Sequence, residues 1–197
     1  MGKQWICFYS QTGSEINNVR KALHRDPDFI IFNGDDLSKT NRELVEAVGN
    51  KIVKIPTKPT LENYKDLAKT FDKNCIITLH GYLRIIPEYL CTNFHILNLH
   101  PGLITTYPEL KGFNPQEKAF KLGLPTSGVV IHEVIPEVDS GKIIAAKETS
   151  IAGLTLDEVY TRLHDLATST WRDVVLTELK EITCGVHARL SSARYRV

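Results

Sequence analysis

The chain lacks an excess of charge of either sign: 24 Lys+Arg stand against 23 Asp+Glu, a formal net of +1 in 197 residues. No global field therefore draws it to nucleic acid or to an anionic membrane. It lacks an apolar run near the roughly 18 residues that a membrane-crossing helix needs. No basic stretch followed by a short apolar one opens it. Its four cysteines, Cys7, Cys75, Cys91 and Cys184, follow no paired spacing. That argues against both a disulfide framework and a zinc site. Cys7 and Cys75 lie in apolar runs, where a free thiol acts as a small hydrophobe. Repeats, low-complexity tracts and linker-like segments are missing too. What remains is a reduced, cytoplasmic protein with no membrane, nucleic-acid or metal partner expected. The basic tail with Arg189, Arg194 and Arg196 reads as a solvated terminus.

A chain of this length fills one well-buried core and is too short for two large domains, so 1–197 is read as a single domain. Apolar runs alternate with amphipathic stretches. Strands are expected at 5–9, 28–32, 52–55, 74–79, 94–100, 128–134 and 142–149, and helices at 15–24, 40–48, 61–71 and 155–182. Pro56 and Pro59 stop the third strand. The fold class is α/β: a mostly parallel central sheet with helices on both faces. The last two strands share a short connection, which predicts an antiparallel edge.

Two clusters carry chemistry. Asn98-Leu99-His100-Pro101-Gly102 ends an apolar strand, and its period of two puts Asn98 and His100 on one face, about 7 Å apart. Pro101 keeps His100 extended, and Pro-Gly turns the chain away. Both side chains are then placed to reach one reacting carbonyl, or they simply cap the turn; the residues alone leave both readings open. Later come His132, on an apolar strand, and Asp139-Ser140-Gly141, in a turn. Asp139 reads either as an Asx-type turn residue or as a carboxylate beside imidazoles. Ser10-Gln11-Thr12-Gly13-Ser14 opens a helix whose backbone N–H groups suit an anion. It has neither P-loop nor dinucleotide spacing, and Glu15 in the first turn already answers the helix dipole and repels a phosphate.

The series Leu79-His80-Gly81-Tyr82-Leu83-Arg84-Ile85-Ile86-Pro87, Asn98-x-His100-Pro101, Tyr107-Pro108, Gly128-x-x-x-His132 and Asp139-x-Gly141 resembles the folate-dependent formyltransferases. Within them it is most similar to the glycinamide ribonucleotide transformylases. The resemblance runs from the Ser10–Ser14 turn through most of the final helix. It implies a Rossmann-like formyltransferase fold and 10-formyltetrahydrofolate as formyl donor to a small-molecule amine. It also implies Asn98, His100 and Asp139 as catalytic trio, with His132 in support. Arg84, Ile85, Ile86 and Pro87, with Ile135, Val138 and Ser140, would hold the pterin, largely through backbone groups. Thr12, Gly13, Ser14 and Glu15 would contact the acceptor. In this reading an amine attacks the formyl carbon, and Asn98 with a protonated His100 stabilises the oxyanion. Asp139 raises the pKa of His100 and accepts the amine proton.

The chain departs from that pattern on the acceptor side. The related loop usually runs Gly-Ser-Asn, here Gly13-Ser14-Glu15. Ala167 stands near where an acidic residue is expected, and Glu109-Leu110-Lys111-Gly112-Phe113-Asn114-Pro115 differs as well. The acceptor is therefore expected to be glycinamide ribonucleotide or a variant of it. A sugar-nucleotide N-formyltransferase and a catalytically silent folate-binding module are the alternatives. A methionyl-tRNA formyltransferase would need a second domain and a basic footprint. The deformylating relatives usually carry an N-terminal regulatory domain. Nothing in the pattern sets an oligomeric state.

Overall fold

Trp5, Ile6, Cys7, Phe8 and Tyr9 form a strand with no exposed side, every residue being buried. A strand apolar at every position belongs in the middle of a parallel sheet covered on both faces. The structure, a computed structural model, describes residues 2–180 and places it there. The strands are β1 Trp5–Tyr9, β2 Phe29–Phe32, β3 Ile52–Lys54, β4 Ile76–Leu79, β5 His95–His100, β6 Thr126–Glu133 and β7 Ile143–Ser150. Their order is β3-β2-β1-β4-β5-β6-β7. Strands β1 to β5 pair in parallel, whereas β6 runs antiparallel to both β5 and β7. The mostly parallel sheet with an antiparallel edge is the expected one.

Helices cover both faces. Ile16 and Val19 of α1 (Ser14–Leu23), Leu44 of α2 (Arg42–Val48) and Trp171 of α6 (Leu156–Lys180) pack on one, against Cys7, Tyr9 and Leu97. Tyr64 of α3 (Leu61–Ala68) and Leu90 of α4 (Glu88–Asn93) pack on the other, against Ile6, Phe8 and Ile96. The opposite placement of Ile96 and Leu97 is the period-two alternation of a strand. Cys7 is buried so deeply that its thiol is pushed far up, and burial raises Cys75 to about 12. Both act as small hydrophobes. Cys184, the Arg189–Arg196 tail and positions 181–182 of the expected last helix lie outside the described residues.

Several boundaries differ from expectation. The helix expected over 40–48 starts only after Asn41, whose side chain accepts from the Leu44 N–H, and a separate 3-10 turn covers Leu37–Lys39. The helix expected to reach 71 ends at Ala68. Two short helices were not anticipated, α4 and α5 (Pro115–Lys121). Among the described residues no helix is long and apolar enough to cross a membrane.

The β6–β7 connection has one steric requirement. A Cβ at Gly141 would lie 1.9 Å from the Glu133 carbonyl oxygen. Only glycine lets the returning chain lie this close, and the fit holds the preceding residues, Asp139 among them, over the sheet. Gly141→Ala should lower stability by about 1–3 kcal/mol, the usual range for overpacking, as read by urea unfolding. A variant as stable as the parent would show that the loop rearranges freely.

Candidate active site

The parallel strands bring their carboxyl ends to one edge. The chain runs from β1 out to β2 and β3, while β4 and β5 extend the sheet on the other side of β1. Open α/β sheets form their ligand crevices where the strand order parts in this way. Two clefts lie along the edge. The first, about 550 Å3, is lined by Thr12, Gly13, Ser14 and Glu15 after β1, by His80 and Gly81 after β4, by Leu99 and Pro101, and by one side of α6. The second, about 680 Å3, is lined by Arg84, Ile85, Ile86, Ile135 and Val138 together with Asn98, His132 and Asp139.

Most of the expected site residues thus gather in two groups that share the end of β5. Pro87, Ser140 and the buried His100 do not line either cleft. Pro87 is the cap residue that starts α4, and the Ser140 hydroxyl donates to the Val138 carbonyl at 3.0 Å. The Arg84 side chain also faces protein: its guanidinium donates to the carbonyls of Thr57 (2.7 Å) and Leu83 (3.1 Å).

Asn98 and His132 face each other across β5 and β6. The Asn98 amide nitrogen lies 3.3 Å from His132 Nε2, and His132 Nδ1 lies 2.9 Å from the Glu133 carbonyl. A carbonyl can only accept, so Nδ1 carries a proton and Nε2 of the neutral ring accepts from Asn98. The β6–β7 loop brings Asp139, in left-handed conformation (φ 51°), against both imidazoles. Its Oδ1 is 3.5 Å from His132 Nε2 and its Oδ2 is 3.6 Å from His100 Nδ1. His100 Nε2 donates to the Leu110 carbonyl at 2.8 Å, by the same reasoning. Gly102 allows the packing behind it, since a Cβ there would sit 2.7 Å from Pro115 Cβ and 3.2 Å from His100 Nε2.

One expectation is corrected here. Asp139 does pull the His100 pKa upward, and so does the Leu110 carbonyl, but burial outweighs them and the value falls below the usual imidazole range. His100 is therefore neutral at rest, with Nδ1 unprotonated and turned to Asp139. The Asp139 carboxyl is held below its usual range chiefly by the adjacent His132, against the opposing effect of burial, and further by His100 and the Gly112 N–H. The contacts from Leu110 and Gly112 were not foreseen. They are backbone groups in an irregular loop, which no side-chain pattern marks.

Glu15 lies in the first turn of α1, as expected. Its Oε2 also accepts from His80 Nδ1 (2.6 Å) and Trp171 Nε1 (3.2 Å), two contacts that the sequence did not show. His80 lies in the Leu79–Pro87 series, but nothing in that series gives it a role at the site. Its position at the carboxyl end of β4 was the available signal. Among the described residues, no group of three or more His, Cys, Asp or Glu side chains is arranged to hold a metal ion.

A model of the formyl transferase family matches residues 6–175. The chain belongs to the formyl transferase family. It is 33% identical over 107 residues to a phosphoribosylglycinamide formyltransferase of Bacillus subtilis, an alignment covering 53% of each chain. It is 25% identical over 185 residues to a methionyl-tRNA formyltransferase of Sulfurihydrogenibium, covering 81% of this chain and 58% of that one. The chain thus spans about half the length of the curated relatives it matches. In fold it is similar to the crystal structure of the Campylobacter jejuni phosphoribosylglycinamide formyltransferase. The TM-score is 0.74 at 22% identity, with 89% of this chain and 96% of that one covered.

This family member should show an acid limb set by His100. If His100 takes a proton during turnover, the neutral ring is the competent form and the rate is lost as pH falls through its pKa. Because that pKa is lowered, the midpoint of kcat/KM should lie below about 6.5, the ordinary imidazole value. Asp139 stays ionised throughout that window. A midpoint above the ordinary value would mean that burial does not control the ring.

Proposed function

We propose that this chain transfers the formyl group of 10-formyltetrahydrofolate to the amine of a small molecule, glycinamide ribonucleotide or a variant of it. The observation that carries this reading is the cluster of Asn98, His132, Asp139 and His100. Asn98 and Asp139 border the second cleft, and Leu99 and Pro101, on either side of His100, border the first. Membership of the family, and the relatives named phosphoribosylglycinamide formyltransferase, support it.

The second cleft suits the donor. Leu79, Ile86, Val134, Ile135 and Val138 give it an apolar lining, and its volume fits a ligand of folate size. When bound there, the folate supplies an electrophilic formyl carbon. Asn98 gives one amide N–H to His132, which fixes the orientation of the amide. Its second N–H remains for the negative charge that develops on the formyl oxygen. As the amine nitrogen bonds to the formyl carbon, the proton it loses enters the His100–Asp139 pair. When the tetrahedral adduct collapses, the bond from the formyl carbon to N10 of the folate breaks and the pair passes that proton to N10, releasing tetrahydrofolate. The pair titrates as a unit, since each partner shifts the other. A proton on His100 Nδ1 turns a lone pair facing Asp139 into a donor facing it, so the carboxylate stabilises the charge it receives.

Asn98→Ala should lower kcat/KM by about 10²–10³, the usual loss for one oxyanion donor, and Asp139→Asn should be similarly damaging. Folate binding should be little changed in either. The measurement follows folate absorbance together with formylated product. Full activity in Asp139→Asn would contradict the proton-transfer role. Folate binding by the wild type with no transfer to any amine would favour a silent binding module.

A further inference from the structure

We infer that the first cleft holds its acceptor through hydroxyl and amine groups rather than through a phosphate, with Glu15 receiving one of those donors. The inference rests on the proposed formyl transfer and names the substrate class that this transfer serves.

The amino end of α1 opens on the cleft, and such an end attracts anions. A phosphate site normally adds Arg or Lys to it. Among the described residues lining this cleft there is neither. The Ser14 N–H, in the first turn, already meets Thr12 Oγ1 at 3.3 Å, and the two hydroxyls share a bond of 3.0 Å. The charged side chain that the cleft does have is a carboxylate. Glu15 is held on its wall by two donors from separate elements, His80 and Trp171. His80 and Trp171 are themselves buried, and the other ring nitrogen of His80 lies 2.9 Å from Thr78 Oγ1. Only Oε2 of Glu15 is engaged; Oε1 has no hydrogen bond among the described residues. A fixed carboxylate with one open oxygen accepts from a hydroxyl or an ammonium and opposes a phosphate.

The rest of the lining agrees. Gln11 and Gln116 offer neutral groups that both donate and accept, as hydroxyls require, and His164 adds its ring nitrogens. The Tyr160 ring is 40% exposed and gives a flat apolar surface. Ala167 leaves room on α6 where a larger side chain would fill it. Together these fit a hydroxylated ring bearing an amine, whether ribosyl or hexosyl.

The test compares formyl transfer by the whole chain within pairs that differ by one phosphate. Glycinamide ribonucleotide is set against its riboside, and glucosamine 6-phosphate against glucosamine. Removing the phosphate should change kcat/KM by less than about threefold in the pair that turns over, and the pair itself separates ribosyl from hexosyl acceptors. Glu15→Gln should raise KM for the phosphate-free member by about tenfold, as for losing a charged hydrogen bond, with the folate Kd unmoved. A preference above about tenfold for the phosphorylated member, or a gain for that member in Glu15→Gln, overturns the inference. So does transfer to no member of either pair while folate is bound. If folate itself does not bind, the proposed function falls with it.

Discussion

Proton positions around Asp139 constrain everything else in the site. Two backbone carbonyls decide them. Leu110 takes a proton from His100 Nε2 and Glu133 takes one from His132 Nδ1. The neutral His100 ring then turns its lone pair toward Asp139 at 3.6 Å, while His132 Nε2 takes the Asn98 N–H. A lone pair facing an anion repels it, and a proton added to His100 Nδ1 converts that repulsion into a charge-assisted hydrogen bond. The resting cluster is therefore one proton short of its best arrangement. An attacking amine must lose a proton, and this is a place for it.

The fold exists, in functional terms, to keep that cluster dry and in register. The antiparallel pairing of β5 with β6 sets Asn98 against His132. Gly141 lets the β6–β7 chain pass close to Glu133, and Gly102 lets Pro115 pack behind His100. Burial then lowers the His100 pKa, which keeps the ring free to accept. The opposite cleft uses a different device, a carboxylate pinned between buried rings. In the proposed reading it governs what can enter and has no part in moving the proton.

Much of this was legible from the residues. Trp5–Tyr9 announced a buried strand because no position in it is polar enough to face water. Asn98 and His100 announced a shared face because strand periodicity is strict. Helix α4 was invisible, being six residues with Leu90 alone buried. Helix α5 was masked by Asn114 in left-handed conformation before it and by the exposed Phe120 within it. In the site, side-chain partners were easier to foresee than backbone ones. The pull of Asp139 on His100 could be read, but the depth of burial that overrides it could not. The Glu15–His80 contact joins residues 65 apart in the chain, and only the sheet order that puts β1 beside β4 brings them together.

The protonation state of His100 tests this account most directly. Nitrogen-15 NMR of the imidazole reports charge and tautomer together. The account predicts a neutral ring at pH 7, protonated on Nε2, that titrates below the ordinary histidine value. An imidazolium at pH 7, or a neutral ring protonated on Nδ1, would contradict it.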